Sequence, residues 1–182
     1  MLESERLVIK PFESSDLADL FNLICDKDLT YPAGFKPVPD LKTCQLSLQY
    51  RIASKQYVKL LSKNGEFIGE INFYKDTSKR NPKAYEIGFM INKKYHRQGY
   101  ATEALKTFIP YFYSHIDVDI LSAHVFVGNI SSEKTLIKLG FHLDGVIRRY
   151  KRMYDDKVLD VSEFSLTREE IERNIKLWQQ KS

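Results

Sequence analysis

The sequence predicts one mixed α/β (α+β) domain, a twisted and mostly antiparallel sheet with helices on its faces. Three observations predict it. The 182 residues suffice for one domain with a real core and are short for two. Apolar runs of strand length arrive both as hairpins and with helical segments between them. No repeat, low-complexity tract or linker interrupts positions 1–182, so the whole chain is expected to form a single domain.

Arg6 to Phe12 reads as a strand ended by Pro11. Ser14 or Ser15 then caps a helix in which Leu17, Leu20, Phe21 and Ile24 recur at helical spacing. Pro32, Gly34, Pro37 and Pro39 make the segment from Asp26 to Asp40 a loop. A helix returns from Leu41 to Ser54, with Cys44, Leu48 and Ile52 on one face. Gln56–Leu61 and Phe67–Tyr74 form a hairpin across Asn64-Gly65. After a polar turn at Lys75–Lys83 comes a strand at Ala84–Ile91, then a basic loop at Lys93–Tyr100. A helix at Ala101–Ser114 follows, and Pro110 should loosen its last turn. Ile120–Val127 is a strand, and Ser131–Leu139 is a short helix stopped by Gly140. Phe141–Tyr154 and Lys157–Leu166 pair around Asp155-Asp156. Thr167 and Glu170 have capping-box spacing for a final helix ending near Trp178.

Composition narrows the function. A net charge of +4 with interspersed signs suits an anionic ligand and falls short of the field of a dedicated nucleic-acid binder. Cys25 and Cys44 fit neither a disulfide framework nor a metal motif, so no metal is expected. The chain opens on Glu3, Glu5 and Arg6 without a signal-peptide pattern, and no apolar run approaches membrane-span length. The expectation is a cytoplasmic protein without a membrane anchor.

The most informative stretch reads strand, basic loop, helix: Glu86-Ile87-Gly88-Phe89-Met90-Ile91, then Tyr95-His96-Arg97-Gln98-Gly99-Tyr100-Ala101-Thr102. A helix start leaves backbone N–H groups without partners, and the helix dipole adds positive charge there. With Gly99 at that start, Arg97 to Thr102 make a candidate anion site suited to a pyrophosphate. On the residues alone, a solvated basic loop is the alternative. Glu86 opens this strand segment, and a carboxylate so placed is a candidate general base. A solvent-facing or Arg148-paired glutamate is its alternative, and Glu70 is the second candidate. His115, His124 and His142 read as surface or packed histidines. Arg148 to Arg152 reads as a charged strand face, with an acidic substrate or RNA as the other possibility.

This loop resembles the acetyl-CoA signature of the GNAT superfamily, in which Gln or Arg is followed by two residues, Gly, one residue, and Gly or Ala. His96 stands at the first position, departing from the pattern, with Gly99 and Ala101 at the fourth and sixth. Asn129 through Gly140-Phe141 is similar to the family's second signature, an Asn, a short helix and Gly-Phe. Glu5-Arg6-Leu7, Asp16, Gly145, Arg148, Asp160 and Phe164 to Leu166 resemble the branch that acetylates ribosomal-protein N-termini, together with its small-molecule relatives.

The resemblance implies an acetyl-CoA-dependent N-acetyltransferase that moves the acetyl group directly onto a primary amine, of a protein N-terminus or a small molecule. It implies cofactor contacts from Met90, Ile91, His96, Arg97, Gln98, Gly99, Tyr100, Ala101, Thr102 and Asn129. The Met90 or Ile91 N–H would polarise the thioester carbonyl, in a cleft where the strand ending near Ile91 splays from the one beginning near Leu121. The resemblance places Tyr31 and Phe35 toward the acceptor. Where many relatives carry a Tyr acid, this chain has Leu136; Ser132 is then the candidate near the CoA sulfur, or a helix cap. A non-catalytic acyl-CoA sensor and a ribosome- or RNA-associated module are the rival classes. A monomer or homodimer is expected.

Overall fold

The computed structural model describes residues 1–180; Lys181 and Ser182 of the expected domain lie outside the described residues. In chain order the elements are β1 (Leu2–Glu3), β2 (Leu7–Pro11), α1 (Leu17–Ile24), α2 (Lys27–Thr30), α3 (Leu41–Ser54), β3 (Tyr57–Ser62), β4 (Phe67–Lys75), β5 (Ala84–Ile91), α4 (Tyr100–His115), β6 (Ile120–Phe126), α5 (Ile130–Lys138), β7 (His142–Arg152), β8 (Val158–Thr167) and α6 (Arg168–Gln179). The strands form one sheet in the order β1-β2-β3-β4-β5-β6-β8-β7. Every pairing is antiparallel except β5 with β6, which α4 connects. That single crossover is what a helix between two strands requires.

Alternation along the strands divides the core into two layers. Ile71, Ile87 and Ile91 face α4 and α6, where Leu105, Phe108, Ile109 and Trp178 meet them. Met90 and Phe67 face the other way, against Leu20, Leu23, Cys44 and Leu48 of α1 and α3. Capping follows the sequence closely: Thr167 and Glu170 close a full capping box on α6, and Gly140 ends α5 at φ 87°.

Three expectations are corrected. The loop at 26–40 contains α2, because the Asp26 side chain caps it by accepting from the Asp28 N–H at 2.8 Å. On α3, Arg51 rather than Ile52 completes the buried face with Cys44 and Leu48, because Glu70 of β4 supplies a buried partner; Ile52 is exposed. α4 runs past Pro110 to His115, and Ile116 N–H still bonds Phe112 O at 3.0 Å. Burial of Ile109 and Phe112 on either side of Pro110 outweighs the one lost hydrogen bond.

Candidate active site

The site begins where β5 and β6 part. They are paired only at Ala84–Ile120, Tyr85–Leu121 and Glu86–Ser122, and beyond Glu86 the edge of β5 is open. The β4–β5 register decides which backbone groups face the gap. Asp76 N–H bonds Ala84 O at 3.1 Å at one end and Asn92 N–H bonds Ile68 O at 2.8 Å at the other. In an antiparallel ladder hydrogen-bonded pairs alternate, so Met90 belongs to β4 through Glu70, while the N–H and C=O of Phe89 and Ile91 face the gap. Of the two expected carbonyl donors, only Ile91 turns its N–H into the cleft; Met90 contributes a buried side chain. The Ile91 carbonyl is met by His96 Nε2 at 2.8 Å, so His96 fastens the basic loop to the strand end.

That loop then turns into α4. Arg97 and Gly99 have positive φ, 59° and 83°, and Gly99 is the N-cap without any side-chain capping bond. Glu103 N–H is bonded to Gly99 O at 3.0 Å, which leaves the N–H groups of Tyr100, Ala101 and Thr102 without intrahelical acceptors. Gly99, Tyr100, Ala101 and Thr102 all line a cleft of ≈ 1330 Å³. Gln98 instead holds the loop: its amide donates to Lys94 O at 2.9 Å, and its carbonyl accepts from the Arg6 guanidinium at 3.0 Å. Glu103 ties the same turn to the chain's start, accepting from Ser4, the Arg6 N–H and the Arg6 side chain.

Glu86 lies at the apex of the gap and lines the cleft. Its Oε1 accepts from the Tyr74 hydroxyl at 3.0 Å, and His124 Nδ1 stands 3.2 Å from Oε2. Burial and the Glu86 charge push the Tyr74 hydroxyl far above its ordinary pKa, so it remains a donor. The His124 side chain is 6% exposed, and its Nε2 lies 4.0 Å from Glu163. The Glu86 contact has ion-pair distance but lies off the ring N–H direction, so neither His124 nitrogen makes a directional hydrogen bond among the described residues. Burial pulls the imidazole pKa down, but Glu86, Glu163 and Asp76 together leave it raised. The ring stacks on Tyr150 at 5.3 Å.

The second base candidate, Glu70, is committed elsewhere: Arg51 Nε and Nη2 each donate to it at 2.8 Å, in a pair whose side chains are 7% and 3% exposed. On the far side of the cleft Asn129 caps α5, its Oδ1 3.4 Å from Ser132 N and accepting from Ser131 Oγ at 3.2 Å. Ser132 is half-buried and lines the cleft, while Leu136, one turn on, is fully buried. Phe35 lines the cleft and packs against the α1–α3 layer. The Tyr31 hydroxyl donates to Asp155 at 3.2 Å and its ring stands edge-on to Tyr154, tying the loop to the β7–β8 turn. The described residues contain no group of three or more His, Cys, Asp or Glu placed to hold a metal.

A sheet split at its one parallel pair, with a row of unpartnered amides on one lip and a doubly held carboxylate at the apex, is the layout of a group-transfer enzyme that grips an anionic carrier. The profile of the acetyltransferase (GNAT) domain family matches residues 6–142, and the chain belongs to this family of acetyl-CoA-dependent N-acetyltransferases. The uncharacterized N-acetyltransferase YoaA of Bacillus subtilis (strain 168) is 26% identical over 156 residues, covering 82% of this chain and 87% of that protein. The fold is similar to the spermidine N-acetyltransferase of Vibrio cholerae in complex with CoA and spermine, with a TM-score of 0.78, 14% identity and coverage of 92% and 99%. It is also similar to the Salmonella typhimurium enzyme that modifies the N-terminal serine of ribosomal protein L7/L12, with a TM-score of 0.77, 16% identity and coverage of 90% and 96%.

Sequence reasoning missed His124 and Tyr74 beside Glu86. The signal was parity: Tyr74 is the cross-strand partner of Glu86, and His124 lies two residues beyond its β6 partner Ser122, on the same face. The raised His124 pKa has a consequence for stability. The charged imidazole stabilises the fold fully below its ordinary value of 6.5, and that contribution disappears as pH rises through the raised folded-state value. The denaturation midpoint of His124→Gln should therefore lie furthest below wild type at pH ~5.5–6.5 and approach it at higher pH. A gap independent of pH would mean that His124 contributes packing and no charge.

Proposed function

We propose that the protein transfers the acetyl group of acetyl-CoA directly to a primary amine, with Glu86 as general base. The single observation that carries this is the Glu86 carboxylate held from both sides, by Tyr74 and His124, at the apex of the open strand pair. When bound, acetyl-CoA supplies an activated thioester carbonyl. The Tyr100, Ala101 and Thr102 N–H groups donate to its pyrophosphate, aided by the helix dipole and the basic loop. The Ile91 N–H stabilises negative charge as it develops on the carbonyl oxygen. Glu86 removes the ammonium proton, directly or through one water. Ser132 stands nearest to the role left vacant by Leu136, that of proton donor to the leaving sulfur; a thiol with pKa ~8.5 leaves tolerably even without one.

Two kinds of acceptor are named for structural neighbours, a polyamine and a protein N-terminus. Both demand this same deprotonation, and either fits the transfer step. The clamp on Glu86 favours an enzyme over a non-catalytic acyl-CoA sensor, which needs no base.

The donor side is tested by Gly99→Glu. At φ 83° a side chain is strained whatever the space, and this one brings negative charge to the anion cradle. CoA affinity measured by calorimetry should fall at least ~100-fold, about 2.7 kcal/mol. Unchanged affinity in a folded variant would move the pyrophosphate elsewhere.

A further inference from the structure

A second cavity, ≈ 410 Å³, opens from the cleft at Glu86. The two share Glu86 and the rings of Tyr50, Tyr57, Tyr74 and Tyr150, so one ligand can occupy both. The smaller cavity ends at Asp76, which is 4% exposed. Asp76 accepts only from neutral groups in its own surroundings: the Ser78 N–H at 3.0 Å, the Ser78 hydroxyl and the Ser122 hydroxyl. Burial pushes its pKa up, but those bonds hold it below the ordinary carboxylate value. Among the described residues no Lys or Arg forms an ion pair with it. Of the cations nearby, Arg51 is paired with Glu70 and Lys79 with Glu163, while Lys75, which also lines the cavity, reaches the Pro82 carbonyl and the Tyr85 ring; His124 and Lys79 act on Asp76 through space, without an ion-pair contact.

A pocket lined by four phenol rings and a buried carboxylate that makes no ion pair with Lys or Arg is complementary to an alkylammonium group. Ring faces attract a desolvated cation, and Asp76 supplies the counter-charge.

We propose that this cavity is a cation subsite for the acceptor, seating a second ammonium while the reacting amine lies at Glu86, and that the acceptor is a short aliphatic di- or polyamine. The proposal rests on the acetyl-transfer reading above. A protein N-terminus has no second ammonium fixed at short aliphatic distance.

The test compares 1,4-diaminobutane with 1-aminobutane as acceptors in steady-state kinetics, alongside a Ser-initiated peptide. The diamine should have a kcat/KM at least ~10-fold above that of the monoamine, about 1.4 kcal/mol, and above that of the peptide. Asp76→Asn should erase the preference by raising KM for the diamine alone. Tyr50→Ala, at an exposed position that threatens the fold less, should reduce it in the same sense. Equal kcat/KM for the two amines, or a preference untouched by both variants, would overturn the subsite and leave the transfer reading standing. Absence of turnover with every amine would overturn the transfer reading. In that case calorimetry of 1,4-diaminobutane decides the subsite separately, with Asp76-dependent binding supporting it and no binding overturning it.

Discussion

Replacing Glu86 with Gln should slow acetyl transfer by roughly 10²–10⁴-fold at pH 7, the range for loss of a general base. The substitution keeps size and still offers an oxygen to the Tyr74 hydroxyl, so the fold is expected to persist. What it removes is the site for the amine proton. An α-amino group has a pKa of ~8 and an aliphatic amine ~10.4, so at neutral pH most acceptor molecules carry that proton. The deficit should therefore shrink as pH rises and the unprotonated amine accumulates in solution. CoA affinity should change little, because the amides expected to grip the carrier belong to the start of α4 and not to Glu86. Rates of the variant and wild type across pH, with CoA binding measured separately, check both halves. Wild-type turnover at pH 7 would sink the assignment.

Breaking the Arg51–Glu70 pair should have the largest effect on stability. Arg51→Ala leaves a carboxylate, 3% exposed, without its two hydrogen bonds, and Glu70→Ala strands the guanidinium likewise. Removing one partner of such a pair costs about 3–5 kcal/mol, because the remaining charge is still buried. The double replacement Arg51→Met with Glu70→Leu should cost far less, since nothing charged remains to desolvate. Urea denaturation of the three variants distinguishes these outcomes. Single variants within about 1 kcal/mol of wild type would show that water reaches the pair. The same pairing separates the two base candidates: Glu70 is committed to Arg51, whereas Glu86 borders the cleft.

Most of the fold was legible because local signals agreed with one another. Gly140 and the Thr167–Glu170 box each name one backbone geometry, and apolar runs located the β4 and β5 strands that meet at the site; Asn64-Gly65 marked the hairpin, but its loop is longer than the two-residue turn expected, and of the pair only Gly65 has positive φ. The helix start at the cleft was legible for the same reason, since a basic loop with Gly99 before a helix is a local pattern. The errors came where the deciding partner is distant in sequence. Ile52 looked like core because Glu70 was not known to face α3, and Arg51 took its place. The Tyr31–Asp155 contact, across 124 residues, was likewise beyond any local signal. His124 is packed, as expected; what was hidden is that strand pairing, which composition does not encode, puts it against Glu86.

The grip of Ser4 and Arg6 on Glu103 bears on the order in which the molecule assembles. These groups are 97 or more residues apart, and they hold the first turn of α4, whose amides form the donor lip. Closing so long a span loses chain entropy before its contacts form, so this junction belongs to the slow, non-local part of folding. The hairpin of β3 and β4 can form early from neighbours in sequence. The carrier cradle is complete only once the two distant segments have met. A carrier that binds the finished cradle therefore acts on its unfolding, as a latch on a late joint, and offers little help to a chain still searching for that joint.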